Sequence, residues 1–130
     1  MTGGRGTPLG VILTAGQAHE SKYFEMVMDT VRIASRRRPD AVAADKGYSV
    51  PRIRKWCARR GIQAVIPTIS NQPRCKFSRC KYRKRNVVER CIGWLKCCRR
   101  ISTRHEKLAT SFLAMIKLAM IQRCLRMLDP

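Results

Sequence analysis

Ala41-Val42-Ala43-Ala44-Asp45-Lys46-Gly47-Tyr48 is the stretch on which the fold turns. Four small apolar residues make a run too short for a helix and suited to a buried strand. Asp45, Lys46 and Gly47 follow at once, so the strand ends by delivering Asp45 to its C-terminal edge. Downstream, Val50 to Arg60 reads as a helix with Pro51 in its first turn, and Gly61 is a left-handed stop. Ile62-Gln63-Ala64-Val65-Ile66 reads as a second strand, closed by Pro67. Strand, helix and strand in that order imply parallel pairing through a right-handed crossover. Ligands in such layers sit at the C-terminal ends of strands, where Asp45 lies.

The flanks extend the pattern. Upstream, Leu9-Gly10-Val11-Ile12-Leu13-Thr14 reads as a buried strand. Ser21 can cap a helix running to about Ser35, with Phe24, Val27, Met28 and Val31 at helical spacing, and Arg36-Arg37-Arg38-Pro39 ends it. Downstream, residues 68–81 are polar and read as a loop. A long basic helix follows from about Tyr82 to Thr103, then an apolar helix from about Glu106 to Leu128. The order is strand, helix, strand, helix, strand, helix, helix, an α/β chain with a C-terminal helical pair. No linker divides it, so residues 1–130 are expected to form one domain.

The apolar segment Leu108 to Ile121 is broken by Thr110, Ser111 and Lys117, and it is shorter than the roughly 20 residues a membrane span needs. A buried helix is the expectation, with Phe112, Met115 and Leu118 in the core. Trp56 and Trp94 are expected to pack at a core or rim. The N-terminus lacks the patterns of a signal or transit peptide, so a cytoplasmic protein is expected.

Lysine and arginine number 28 against 8 aspartates and glutamates, a net charge of +20. Self-repulsion at that charge opposes compaction unless a polyanion neutralises it. Nucleic acid is the expected partner, because cations on phosphates release condensed counterions. The seven cysteines, an odd number, fit reduced thiols. Cys75 and Cys80 form a C-x4-C pair with no second pair to complete a zinc site.

Acids are scarce, so their placement is informative. Glu89 is the sole acid between Asp45 and Glu106, inside the most basic part of the chain. It could be no more than an ion-pair partner of Arg85, a contact worth about 0.3–0.5 kcal/mol on an exposed helix. On a continuous helix, however, Tyr82, Arg85, Glu89 and Lys96 share one stripe, and Val88, Ile92 and Leu95 form a separate apolar one. That arrangement suits a helix at the rim of an active site.

The spacing Tyr82-x2-Arg85-x3-Glu89-x6-Lys96 resembles the Y-(2)-R-(3)-E-(6)-K signature of the DDE transposases of bacterial insertion sequences. Further similar blocks are Gly6-Thr7-Pro8-Leu9-Gly10, Leu13-Thr14-Ala15-Gly16-Gln17-Ala18, Ala44-Asp45-Lys46-Gly47-Tyr48, Arg60-Gly61-Ile62-Gln63-Ala64-Val65-Ile66-Pro67 and Arg99-Arg100-Ile101-Ser102-Thr103-Arg104. Together they span nearly the whole chain.

The resemblance implies a ribonuclease-H-like fold in which three carboxylates hold two divalent ions, Mg2+ or Mn2+. Asp45 matches the second carboxylate and Glu89 the third, as catalytic and metal-binding residues. The first belongs upstream of the Gly6–Gly10 block, where five residues stand and none is acidic. The first strands and the region that binds transposon ends are therefore expected to be absent. Tyr82, Arg85, Lys96, Lys46, Arg83, Lys84, Arg99 and Arg100 are the expected DNA-binding residues.

The expected function is metal-dependent cleavage and transfer of DNA strands, weakened or abolished by the missing carboxylate. Expected partners are transposon ends, target DNA, and other copies of the chain or full-length transposase subunits. The alternative is a non-catalytic basic protein that binds DNA or RNA, a remnant or regulator of a full-length transposase.

Overall fold

The computed structural model describes residues 1–33 and 38–128. These gather into two compact units, Gly16–Arg85 and Met1–Ala15 with Asn86–Pro130.

In the Gly16–Arg85 unit, β1 (Ala41–Ala43) and β2 (Gln63–Val65) pair in parallel, in the register Ala41 with Gln63, Val42 with Ala64 and Ala43 with Val65. The helix between them, α2 (Pro51–Arg59), has Pro51 at its start, where the missing N–H costs nothing. Gly61 follows at φ +62, a conformation that a side chain would strain. The strand–helix–strand reading of residues 41–66 thus holds. Its core is Ile53, Cys57, Ile62, Val65 and Ile66, with Phe24 and Met28 of α1 (Phe24–Thr30). Ile53 and Ile66 are fully buried, and each side chain contributes about 1.5–3 kcal/mol through area removed from water.

The helix expected from Ser21 begins as a 3-10 turn, Glu20–Tyr23, with no side-chain cap at its start, and α1 ends at Thr30. Ser35 lies outside the described residues. The loop expected over 68–81 is corrected at its end: Ser78 accepts the Lys81 N–H and caps a helix from Arg79, so Cys75 lies in the loop and Cys80 in the helix, both exposed.

The long basic helix is corrected into three pieces. α3 (Arg79–Arg83) is followed by a turn at Lys84 and Arg85, then α4 (Asn86–Cys97), then α5 (Arg99–Ser102). Three adjacent cations, Arg83, Lys84 and Arg85, repel one another at the first break. Asn86 competes for backbone hydrogen bonds within a helix and is better placed at an end.

In the second unit, α6 (Ala109–Arg126) is the last helix. Residues 9–14 form no strand; the segment before them folds back instead, with an isolated antiparallel bridge between Thr2 and Pro8. An apolar run needs a neighbouring ladder to become a strand, and among the described residues this unit offers none. Buried side chains here include Pro8, Cys91, Ile116 and Ala119. On α4 it is Cys91 that is buried, while Ile92 is exposed. On α6 the expectation of burial is also corrected: Leu118, Ile121 and Leu125 are 58%, 55% and 60% exposed. No described helix is long and apolar enough to cross a membrane.

Candidate functional site

Asp45 follows β1 by two residues and is half-buried. It caps a 3-10 turn, Lys46–Tyr48, with Oδ1 accepting the Gly47 N–H at 3.0 Å. Aspartate is favoured at such positions because its short carboxylate reaches a backbone donor two residues on. Gly47 permits the approach: a Cβ there would stand 3.1 Å from Asp45 Oδ1. Short strand, capping acid and glycine together fix where the carboxylate sits. Lys46 is exposed beside it.

Tyr48 ends the same turn, and its hydroxyl donates to Glu20 Oε2 at 3.2 Å. Its ring meets the Phe24 ring edge-on, with centroids 6.1 Å apart, and Phe24 meets Trp56 in the same manner at 5.5 Å. Burial pushes the Tyr48 phenol up to about 12, helped by the charge and hydrogen bond of Glu20 and by the charge of Asp45. Glu20 and Asp45 therefore both act on one phenol.

The next residue, Ser49, is buried in a closed polar network. Its hydroxyl donates to Gln72 Oε1 at 2.8 Å, and Gln72 Nε2 donates to the Ser49 carbonyl at 2.9 Å. Arg54 of α2 donates to Ser49 Oγ at 3.1 Å, to the Ile66 carbonyl at 2.9 Å and to the Pro67 carbonyl at 3.3 Å. One guanidinium thus ties the chain leaving β2 to the residues after Asp45.

Tyr82 of α3 is half-buried against Phe77, with ring centroids 5.6 Å apart. The Arg85 guanidinium lies 5.5 Å from the centre of the Tyr82 ring. The structure thus brings Tyr82 and Arg85 together, through a turn rather than along a helix face. Arg83 and Lys84 are exposed.

Glu89 and Lys96 belong to α4, in the other unit. Glu89 lies in its first turn and Lys96 in its last. Both placements complement the helix dipole, each worth about 0.3–1 kcal/mol at a surface. Arg99 and Arg100 are exposed on α5. The one-helix stripe joining all four signature residues is therefore corrected: Tyr82, Arg85 and the Glu89–Lys96 pair belong to successive elements. Among the described residues no three His, Cys, Asp or Glu side chains come together as a metal-binding group.

Sequence reasoning passed over Glu20 and Arg54. Glu20 meets Tyr48 across 28 positions of chain, with no local signal. Arg54 looks like any other cation on a basic helix.

A family model described as a transposase DDE domain matches residues 42–126, which include Asp45 and Glu89. A protein of Burkholderia cepacia named as a transposase for insertion sequence element IS402 is 32% identical over 130 residues. The match covers 95% of this chain and 60% of that relative, so the chain spans about three fifths of that relative's length. No solved structure matches the chain. On the strength of the domain match and of this relative, the chain belongs to the DDE transposases of insertion sequences.

Proposed function

We propose that this chain serves DNA transposition, as part of the catalytic domain of a transposase that cuts DNA strands and joins them to a target. The observation that carries the reading is Asp45, held at the end of β1 by its own turn inside the family-matched segment. In this reading Asp45 and Glu89 are catalytic, metal-binding carboxylates. Tyr82, Arg85, Lys96, Lys46, Arg83, Lys84, Arg99 and Arg100 bind DNA, chiefly through phosphate, which positions DNA without reading its sequence. The fold proposed is ribonuclease-H-like, which the β1–α2–β2 crossover supports. The net charge of +20 supports DNA as the partner.

Divalent ions such as Mg2+ or Mn2+ polarise phosphoryl oxygens and lower the pKa of bound water. The described residues bring no three donor side chains together, so their fit to such ions is incomplete and no step is assigned to an ion. In this reading Asp45 and Glu89 are two of the three carboxylates that the resemblance implies. Pairing with a second copy or a full-length subunit is part of the proposal. The exposed Leu118, Ile121 and Leu125 support it, because they repeat at coiled-coil spacing on α6.

A second reading, a basic protein that binds DNA or RNA without cutting it, is favoured by the same lack of a complete donor group. Supercoiled plasmid incubated with the chain and Mn2+ separates the two. The enzymatic reading expects nicking, lost in Asp45→Asn and in Glu89→Gln while DNA affinity stays within about twofold. Nicking indifferent to both substitutions overturns it. Tight binding with no nicking leaves the second reading.

A further inference from the structure

We propose that the exposed face of α2 is a docking surface for the phosphodiester backbone of duplex DNA. The inference rests on DNA as the partner proposed above and adds a surface that the signature residues do not include.

α2 and its C-cap carry Arg52, Arg54, Lys55, Arg59 and Arg60, with no acid among them. Three of the five have local partners. Arg54 satisfies the carbonyls after β2, the Arg60 guanidinium lies over the Trp56 ring, 4.0 Å from its centre, and Arg52 pairs with Glu25. Arg52, Lys55 and Arg59 are exposed. They stand at i, i+3 and i+7, which places them on one stripe. The stripe is held facing outward because Ile53 and Cys57, on the opposite side, are fully buried.

Arg52 is already oriented. Its guanidinium pairs with Glu25 at 2.5 Å and donates to the Ser21 carbonyl at 2.9 Å, yet the side chain remains 49% exposed. A shallow groove lined by Glu25, Arg52, Lys55, Trp56 and Arg59 runs along the same face. Lys55 and Arg59 are like charges at i, i+4, which repel on an isolated helix. A polyanion laid along the face relieves that repulsion.

An unbroken row of cations favours DNA over a folded acidic protein. Seven residues of helix rise roughly 10 Å. A DNA strand carries one phosphate per roughly 3.4 Å of axial rise while winding about the axis, so the row meets one or two phosphates of a strand. Contacts of this kind carry no base information, so the surface is indifferent to sequence.

The test is fluorescence anisotropy of the full chain with a random-sequence 30-base-pair duplex across a sodium chloride series. The variant Lys55→Ala/Arg59→Ala is expected to flatten the slope of log affinity against log salt by about 1.8 and to weaken binding roughly ten- to thirtyfold near physiological salt. The variant Lys107→Ala/Lys117→Ala removes the same charge elsewhere and is expected to weaken binding less than threefold. Equal losses in the two variants, or an unchanged slope in the α2 variant, would overturn the proposal. A larger loss on single-stranded RNA than on duplex DNA would also overturn it, in favour of an RNA surface. Failure of the unaltered chain to bind any duplex would sink the reading of DNA as partner instead.

Discussion

The Tyr48 hydroxyl donates to Glu20 across 28 positions of sequence, joining the turn that carries Asp45 to the turn that starts α1. The bond ties the candidate catalytic carboxylate to a second element of its unit. It also gives that unit a pH signature. The Tyr48 pKa in the fold, about 12, lies above the ordinary value of 10.0. A raised folded pKa favours the protonated form, so the stabilisation is complete below pH 10 and is lost as pH rises through about 12. Thermal melts should show a fall in midpoint over that window. Tyr48→Phe should start lower at pH 8 and lose less between pH 10 and 12. Parallel curves for the two proteins would show that Tyr48 contributes nothing to the alkaline transition.

Arg54 should act as a structural cation. Arg54→Ala strands the Ile66 and Pro67 carbonyls and one partner of buried Ser49. Hydrogen bonds to a charged donor are worth about 1.5–3 kcal/mol each, and Arg54 is partly exposed, so a loss of about 2–3 kcal/mol in chemical denaturation is expected. All three bonds leave one terminal nitrogen, Nη2, which the shorter lysine side chain does not reach, so Arg54→Lys should recover less than half. Full recovery by lysine would show that the charge alone matters.

Core substitutions in the crossover should be costly. Ile53 is fully buried, and Ile53→Ala is expected to destabilise by about 2–5 kcal/mol. Gly61→Ala, at φ +62, is expected to cost about 1–2 kcal/mol. Denaturant midpoints measure both. A neutral Gly61→Ala would mean that the helix ends in another conformation.

Thiol reactivity should divide by burial. Cys75, Cys80 and Cys97 are exposed, while Cys57 and Cys91 are buried. Burial also pushes the Cys57 thiol up, against the opposing charges of Arg60 and Arg54. Brief alkylation at pH 8 followed by peptide mass spectrometry should label the exposed three and spare Cys57 and Cys91 until denaturant is added. Early labelling of Cys57 would contradict the packing of α2.

The crossover of residues 41–66 was legible because its signals are local. Pro51, Gly61 and the Asp45–Gly47 turn each dictate backbone within a few residues. The breaks at Lys84–Arg85 and Cys98 were not legible, because helical periodicity runs through them unchanged. The apolar run at 9–14 misled for a related reason: a strand needs a partner, and no sequence window shows one. The exposed stripe on α6, Leu118, Ile121 and Leu125, is leucine and isoleucine at core spacing, which reads as burial whatever covers it. At the site, Asp45 and Glu89 stood out by the scarcity of acids. Glu20 and Arg54 did not, since their partners are remote and their types are common on any charged surface.

The proposal most in need of test is that Asp45 and Glu89 are each ligands of divalent cations. Iron(II) in place of magnesium, with ascorbate and peroxide, cuts a polypeptide near bound metal, and the cut sites can be mapped by mass spectrometry. The account predicts cuts beside residue 45, lost in Asp45→Asn, and beside residue 89, lost in Glu89→Gln. Cuts beside only one of them, or cuts that survive these substitutions, would contradict it.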